Sequence, residues 1–410
     1  MTFEKLIMEE ALDAIIDYRG KTPQKSPIGI PTLSAKSVKN GQIDYSECYY
    51  ISPEEYKKFM TRGFPQKGDI LLTTEAPLGM VAKLDRADVA VAQRLLTLRG
   101  KKGVLDNDFL MYYLQSSEGQ GLLKAKETGT TVTGIKQAEF RKIVIKVPDF
   151  QTQKKIAAIL SALDEKIAIN REINDNLLEQ IKTICTAWLS DYKPFDGVMP
   201  SDWVETPLSD IAEFISGYSY KGTELTNSTI AMATIKNFDR KGGFKLDGYK
   251  EIIPSSKLKE SQHAELFDTL VAHTDLTQNA EVIGNAEPVM SKSEYDDIVF
   301  SMDLVKVLPK KDGVSKFLIA AILQDKKFKA HCLGYVNGTT VLHLSKKALP
   351  EYKLFLPSDF STLKPLDEVV TALYKQVSSN ISENTYLEEL REALLPKLMS
   401  GEIDASTVQF

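Results

Sequence analysis

The sequence predicts an α+β protein in which two repeated mixed domains are separated by two long antiparallel, coiled-coil-like helices, with approximate two-fold symmetry. Three observations predict this class. One stretch without proline or glycine keeps a heptad pattern, a second heptad stretch follows it further along the chain, and a matching segment precedes each of them. The order is therefore unit, helix, unit, helix, which indicates an internal duplication.

The first heptad stretch lies between Pro148 and Tyr192. Its apolar residues and two asparagines recur at alternating intervals of four and three, which is typical of a long helix packed along another helix. At ~1.5 Å per residue, about 36 residues would span roughly 54 Å. The seam consists of Ile156, Leu160, Leu163, Ile167, Asn170, Asn174, Leu177, Ile181, Ile184 and Trp188.

The second heptad stretch supplies the partner helix. Because Pro365 lies near its start, we expect this helix to begin at or after Lys364. Arg391 interrupts its seam, so packing is expected to be weaker there; Leu163 would lie opposite, and Asp164 would be a salt-bridge partner. The seam consists of Leu366, Val370, Leu373, Val377, Asn380, Asn384, Leu387, Arg391, Leu394 and Leu398.

Asparagines stand in the middle of both seams. A seam asparagine weakens packing but specifies register, because its amide requires a polar partner on the facing helix. An antiparallel pair places Asn170 opposite Asn384. It also places Asn174 opposite Asn380 and connects neighbouring helix ends through the second unit. A parallel pair would match the asparagines nearly as well, and a further alternative is that they face water where the helices separate.

The duplication extends upstream of the helices. GTTVTGIKQAEFRKIVIKVP aligns without a gap with GTTVLHLSKKALPEYKLFLP, which ends at Pro357. A linker rich in proline, glycine and aspartate follows the first helix, as at many domain boundaries. The expected segments are a first head at 1–148, a first helical region at 149–192, a linker at 193–200, a second head at 201–357, and a second helical region with the tail at 358–410.

Local patterns predict the elements of each head. Residues 3–17 have the apolar spacing of a short amphipathic helix. Residues 106–116 predict a helix with an acidic N-cap, and 315–332 is the counterpart of the helix at 106–123. The remaining short strand-like runs and helices are those of an α+β unit.

An apolar strand is followed by a polar loop in both heads. The loop sequences differ, TTEAPLG in the first head and HTDLTQNAEVIG in the second. Glu75 and Asp275 occupy matching places in these loops. Because no second acid is placed beside either of them, a role in hydrogen bonding within the loop is favoured over a metal site.

Composition excludes several classes of protein. No apolar run approaches the length of a membrane span, and the N-terminus lacks the order of a signal peptide. The chain has 3 cysteines and 4 histidines without metal-site spacing. There is no phosphate-binding GxxxxGK[ST] loop and no GxGxxG after a strand. We therefore expect a cytoplasmic protein with reduced thiols, no metal and no catalytic motif of its own.

The formal net charge of −5 is unevenly distributed. The first 150 residues carry an excess of basic residues, whereas the second helical region and tail are strongly acidic. A protein can bind a phosphate backbone through one basic face while being acidic as a whole. The charge therefore neither establishes nor excludes binding to nucleic acid.

Polar and basic side chains in the loops of both heads are candidates for contacts with DNA. Lysine, arginine, serine and threonine contact phosphates, while arginine, lysine, asparagine and glutamine read base edges. The candidates in the first head are Arg19, Lys21, Lys36, Thr73, Thr74, Arg94, Thr130, Thr131 and Lys136. The candidates in the second head are Tyr218, Tyr220, Lys221, Lys236, Thr274, Gln278, Asn279, Thr339 and Thr340.

The whole chain resembles the specificity subunit (HsdS) of type I restriction-modification systems. The resemblance lies in the proline that closes each head, in PDFQTQKKIAAILSALDEKI with its asparagine-containing continuation, in LREALLPKLMSGEID, and in the GDILLTT strand. It implies two target recognition domains, each reading one half of a bipartite, asymmetric sequence in double-stranded DNA. The second helical region departs from the pattern of the first, because it lacks the glutamine-rich opening.

The resemblance also implies partners. The helical regions would set the spacer between the half-sites and dock two modification (methyltransferase) subunits, which restriction subunits join in the full complex. S-adenosylmethionine would bind the modification subunits, so no cofactor and no catalysis are expected of this chain. The alternative is a non-enzymatic scaffold whose heads bind proteins, and steep salt dependence of binding to duplex DNA would distinguish the two.

Overall fold

The computed structural model describes residues 2–129 and 133–408. The chain divides into two compact units. The first unit runs to Lys166 and resumes at Leu387, and the second unit is Ile167–Tyr386. Each unit therefore contains one head together with parts of both long helices.

The first unit contains short strands and short helices, followed by the first long helix. Its strands are Glu4–Ile7 (β1), Leu12–Asp17 (β2), Ile30–Leu33 (β3), Tyr49–Ile51 (β4), Ile70–Thr73 (β5), Val81–Lys83 (β6), Ala90–Val91 (β7), Leu95–Gly100 (β8) and Val144–Val147 (β9). Its short helices are Met8–Ala11 (α1), Pro53–Phe59 (α2), Asn107–Gln115 (α3), Ser117–Ala125 (α4) and Gln137–Arg141 (α5). The long helix Phe150–Leu189 (α6) begins in this unit and ends in the second.

Two sheets and a strand pair build the first head. The central sheet has the order β2-β8-β5-β6 and is antiparallel, and the second has the order β4-β3-β7 with β3 parallel to β7. Strand β1 pairs with β9 at the entrance to α6. Helix α3 lies on the central sheet, and its Phe109 and Tyr113 pack in a core that also takes in Ile156 and Leu398 of the long helices.

The second unit contains the same kinds of element and the second long helix. Its strands are Trp203–Pro207 (β10), Ala212–Ser216 (β11), Ile230–Ala233 (β12), Lys250–Glu251 (β13), Thr269–Ala272 (β14), Thr274–Asp275 (β15), Ala286–Pro288 (β16), Asp297–Phe300 (β17), Leu304–Pro309 (β18), Val336–Asn337 (β19), Leu342–Leu344 (β20) and Lys353–Pro357 (β21). Its short helices are Leu208–Ile211 (α7), Lys316–Leu323 (α8) and Lys326–Leu333 (α9). The long helix Lys364–Ser400 (α10) begins in this unit and ends in the first.

The second head repeats the topology of the first. Its central sheet has the order β11-β18-β14-β16, its second sheet the order β13-β12-β17, and β10 pairs with β21. A third sheet, β15-β20-β19, corresponds to isolated bridges that join Glu75, Gly134 and Thr128 in the first head. The backbone N–H of Ile135 donates to the carbonyl of Thr74 at 2.9 Å, and Leu344 donates to His273 at the same distance. The predicted α+β class and the duplication are confirmed.

The two long helices run antiparallel, as predicted. In the second unit, the Asn170 side-chain amide donates to the Asn384 oxygen at 2.9 Å, and the Asn380 amide donates to the Asn174 oxygen at 2.8 Å. All four asparagines are buried, so the alternative in which they face water is wrong. In the first unit, Arg391 donates to the Asp164 carboxylate at 2.7 Å.

Most seam residues are buried between or beneath the helices. Buried members are Ile156, Leu160, Ile167, Asn170, Asn174, Ile181, Leu366, Val370, Val377, Asn380, Asn384 and Leu398. Half-buried members are Leu163, Leu177, Ile184, Trp188, Leu373, Leu387, Arg391 and Leu394. Helix α10 begins at Lys364, as Pro365 predicts.

The helix predicted over residues 3–17 is wrong. This segment forms β1, a single helical turn at Met8–Ala11, and β2. Its apolar spacing suits a helix locally, but pairing of β1 with β9 and of β2 with β8 decides the structure, because tertiary contacts override weak local preference. The helix predicted over 106–116 is confirmed as α3, with Asp106 as its cap. The longer stretches 106–123 and 315–332 are each broken in two, where Ser116 and Asp325 cap a second helix.

We predict that the buried asparagines are coupled across the seam. Asn174→Leu should destabilise the protein by ~1–3 kcal/mol, because it leaves the amide of Asn380 without its partner. Replacing both residues by leucine should cost less than the sum of the two single changes. A double-mutant cycle by urea denaturation measures this coupling.

Asn176→Leu, on an exposed position of the same helix, is the control and should change stability by no more than about 0.5 kcal/mol. Strictly additive effects at 174 and 380 would contradict the coupling.

Candidate nucleic-acid interface

In the first head, several predicted contact residues converge. The Arg19 guanidinium donates to the carbonyl of Ile135 at 3.2 Å and lies 3.5 Å from the hydroxyl of Thr74. Arg94 pairs with Glu75 at 2.8 Å. These contacts join the loop after β5 to the segment that leads into α5, and Lys136 is exposed on that segment. The Glu75 side chain thus connects its loop to the segment between β7 and β8.

Other predicted residues of the first head shape the loop or lie elsewhere. Thr73 and Thr74 are buried, and the Thr73 hydroxyl donates to Pro77 at 2.6 Å and accepts from Met80 at 2.9 Å. Burial leaves these two threonines no surface with which to contact DNA. Lys21 donates to Thr61 at 2.8 Å. The exposed Lys36 lies on a short turn, Ala35–Ser37, and Thr130 and Thr131 lie outside the described residues.

In the second head, the loop after β15 is ordered around Asp275. One carboxylate oxygen accepts from the amide and hydroxyl of Thr277, both at 2.8 Å, and the other from the amide of Val282 at 2.7 Å. Burial opposes ionisation, but these donors hold the pKa of the Asp275 carboxyl below its usual range. Asp275 therefore orders the loop that presents its neighbours.

The structure brings three of the predicted residues of the second head together. The Gln278 side-chain amide donates to the carbonyl of Thr339 at 2.6 Å and to that of Thr340 at 3.3 Å. All three residues are exposed, as is the neighbouring Asn279. The loop after β15 and the loop between β19 and β20 thus form one polar surface.

Two other predicted residues of this head are buried. The Tyr218 hydroxyl contacts Glu224 at 2.9 Å and Ser255 at 2.8 Å, and Thr274 is 5% exposed. These residues stabilise the head and have no surface to offer to DNA. Tyr220 is half-buried, and the neighbouring Lys221 is exposed.

The second head has a basic groove that the sequence did not predict as a groove. One of its residues, Lys236, is among the predicted contact residues. The groove is an open cavity of about 560 Å³, lined by Lys236, Arg240, Lys241 and Lys245, by Asp239 and Asp247, and by the loop after β15. Arg240 pairs with Glu281 at 3.2 Å. All four cations are exposed. The signal in the sequence is the density of basic residues in KNFDRKGGFK, which an average over the whole head conceals.

Glu287 lies under the loop that carries Arg240 and Lys241, and it lines a neighbouring cavity with Gly242, Gly243 and Gln324. It stands in β16, is 7% exposed, and accepts a hydrogen bond from the backbone N–H of Gly243 at 2.7 Å. Burial raises the pKa of Glu287 to about 7, although the Gly243 amide and the charge of Lys182 act in the opposite direction. The carboxyl group thus connects the core to the loop that carries three of the groove's cations.

No group of three or more potential metal ligands forms in the described part of the chain. Within the same residues, no helix combines the length and apolar character that a membrane span requires.

The heads and their helices define a duplicated recognition protein whose polar loops stand on two copies of one frame. Residues 15–179 match the family model of the type I restriction modification DNA specificity domain. The chain is similar to type I restriction enzyme specificity subunits over most of its length.

Relatives match over most of the chain. The MjaIX specificity subunit of Methanocaldococcus jannaschii is 24% identical, covering 91% of this chain and 87% of the relative. The HindI specificity subunit of Haemophilus influenzae is 22% identical, covering 82% and 87%. The crystal structure of the type I restriction-modification S subunit from M. genitalium shares the fold, with a TM-score of 0.54, 19% identity, and coverage of 97% and 96%.

We predict that Glu287 makes the stability of the protein depend on pH. Because its folded pKa is raised from 4.5 to about 7, the folded chain retains a proton that the unfolded chain releases between these values. Stability should therefore fall as the pH rises through this window. Glu287→Gln removes this linkage. As the pH rises from 5 to 8, the free energy of unfolding of the variant should therefore increase by ~2–3 kcal/mol relative to that of the unmodified chain.

Urea denaturation at a series of pH values measures this gain. Glu260→Gln, an exposed position of the same unit, is the control and should follow the unmodified protein. If Glu287→Gln also follows it at every pH, Glu287 does not carry the linkage.

Proposed function

We propose that this chain is the DNA-recognition subunit of a type I restriction-modification complex and that each head reads one half of a bipartite, asymmetric target. One observation carries the proposal: two heads share a single topology but present different loops at corresponding places. The TTEAPLG loop of the first head and the HTDLTQNAEVIG loop of the second offer different side chains to a duplex. We place the two readers at residues 1–148 and 201–357.

The exposed residues divide into two roles. In the first head, Arg94 and Lys136 face the surface formed by the loops, and we assign Lys21 and Lys36 to phosphates. In the second head, the cations of the basic groove contact phosphates. Its exposed amide and hydroxyl side chains suit base edges, because an amide with free N–H groups pairs with adenine and a hydroxyl both donates and accepts. These residues are Gln278, Asn279, Thr339 and Thr340. The N–H groups of Gln278 contact Thr339 and Thr340, so this residue offers its oxygen.

We assign the helical regions two further roles. Paired antiparallel helices provide a stiff spacer between the readers. Ile169 is 52% exposed and Ile173 is 42% exposed one turn later on α6. Adjacent exposed isoleucines on one helix suit the docking of a modification subunit, since apolar surface of this kind marks protein interfaces.

The chemistry belongs to the partners in this proposal. The chain is a non-catalytic subunit that binds double-stranded DNA and two modification subunits, which restriction subunits join in the full complex. Methyl transfer from S-adenosylmethionine occurs on the modification subunits, in the cytoplasm. The relatives support this reading over that of a protein-binding scaffold.

We predict that exchanging one head exchanges one half-site. Residues 1–147 are replaced by the corresponding head of a relative with a different target, and the hybrid is assembled with its modification subunits. Methylation should move to a target with one new half and one original half, because each reader acts from its own frame. Sequencing of methylated DNA measures the motif.

The reciprocal exchange of residues 201–357 is the matched control and should replace the other half. A first-head hybrid that still methylates both original halves would rule out two independent readers.

A further inference from the structure

The basic loop of the second head, defined here as Asp239–Lys245, requires an anchor. It carries Arg240, Lys241 and Lys245 and turns at two consecutive glycines, whose φ angles are +94° and +111°. Glycines in this region of backbone space leave the chain with many alternative conformations. A loop of this kind presents its cations in one geometry only if other groups hold it.

The core holds the loop through β16. The Gly243 amide donates to one oxygen of Glu287 at 2.7 Å. The Asn285 side-chain amide donates to the carbonyl of Asp239 at 3.3 Å, and Lys329 in turn donates to Asn285 at 2.6 Å. Both ends of the glycine turn are therefore connected to the same segment of the central sheet.

A second chain of hydrogen bonds fixes Glu287 itself. The Gln324 side-chain amide donates to the other Glu287 oxygen at 2.9 Å. The hydroxyl of Tyr374 donates to the Gln324 oxygen at 2.8 Å. Tyr374 is fully buried on α10 and packs against the ring of Phe317. Helix α10 is thereby linked, through two side chains, to the carboxyl group under the loop.

The orientation of these donors explains why a carboxyl group occupies this place. N–H groups of Gly243 and Gln324 face the two oxygens of Glu287, and a carboxyl group, unlike an amide, places no N–H against either of them. Burying a carboxylate costs several kcal/mol in desolvation, so packing alone would favour an apolar residue. The charges facing the group are those of Lys182 on α6 and Asp239 in the loop. Lys182 forms no ion pair with Glu287 in the described contacts, and the like charge of Asp239 opposes ionisation of Glu287.

We propose that Glu287 is a positioning residue for DNA recognition by the second head, and that Gln324 and Tyr374 anchor it to helix α10. Glu287 does not touch DNA; it holds the Gly242–Gly243 turn so that Arg240, Lys241 and Lys245 stand along the groove. This inference rests on the proposed function, because it assigns the loop to DNA contact.

The experiment selects bound duplexes from a random-sequence DNA library, using the full chain assembled with its modification subunits. Glu287→Gln and Tyr374→Phe are compared with the unmodified chain. Base preference should flatten in the half-site read by the second head and persist in the other half. Affinity for the selected duplex should fall about tenfold for Glu287→Gln, because the new side-chain amide places an N–H donor against the N–H of Gly243 or of Gln324. It should fall by less for Tyr374→Phe.

Two matched variants control for general loss of stability. Asp268→Asn alters another buried carboxylate of the same unit, which contacts Lys316 at 3.3 Å. Tyr335→Phe removes a tyrosine hydroxyl that donates to Glu351 at 2.8 Å. Both controls should keep the base preference of both half-sites. Loss of that preference in the controls as well would overturn the proposal, since the effect would then not be specific to the loop.

Hydrogen exchange of residues 239–245 in the DNA-free assembly tests the anchor separately. Exchange should accelerate in Glu287→Gln and Tyr374→Phe and remain unchanged in the two controls. Unchanged exchange and unchanged base preference in both test variants would overturn the positioning role. If instead the unmodified assembly selects no bipartite sequence, the proposed function fails, while the exchange measurement still decides whether Glu287 holds the loop.

Discussion

Two pairs of buried asparagines specify how the long helices meet. A heptad seam alone tolerates a shift of seven residues, because one apolar layer replaces another. Such a shift would set Asn174 opposite Leu387 and leave a buried amide without a partner, at a cost of ~1–3 kcal/mol. The pairs that form, Asn170 with Asn384 and Asn174 with Asn380, satisfy both helices in one antiparallel register. Each unit takes in segments of both helices. The register therefore decides which residues of α6 and α10 pack against each other within a unit.

The duplicated frame leaves the loops free to differ. In both heads, a backbone hydrogen bond joins the loop after the central strand to the segment preceding the final strand, through Ile135 in one head and Leu344 in the other. Because backbone groups make this bond, it does not depend on the side chains of the loop. The loop side chains then carry different chemistry: Arg94 and Glu75 form an ion pair in the first head, while Asp275 gathers amide donors in the second.

The sequence predicts the repeated, long-range features of the fold well. Heptad spacing and aligned segments are patterns that extend over many residues, so they are reliable signals. They predict the antiparallel helices, the pairing of Asp164 with Arg391 and the order of the units. The segment at 3–17 shows the limit of this approach, because its partners lie far along the chain: Leu12 pairs with Gly100 in β8, and Glu4 pairs with Val147 in β9. Local spacing contains no information about pairing over such distances.

The candidate site was less predictable for a related reason. Exposure depends on tertiary packing, so Thr73 and Tyr218 have suitable side chains but are buried. The basic groove gathers cations from one loop against another loop that lies some thirty residues further along the chain. Glu287 has no motif around it, and its role becomes visible only when β16, α8 and α10 are placed beside the glycine turn.

The length of the paired helices offers the most direct test of the account. Residues 171–177 and 377–383, which face each other, are deleted together, and the methylated motif in host DNA is read by sequencing. Removing about 10 Å of helix should shorten the spacer by about three base pairs while both half-sites remain. An unchanged spacer between unchanged half-sites would contradict the claim that this helix pair measures the distance between two readers.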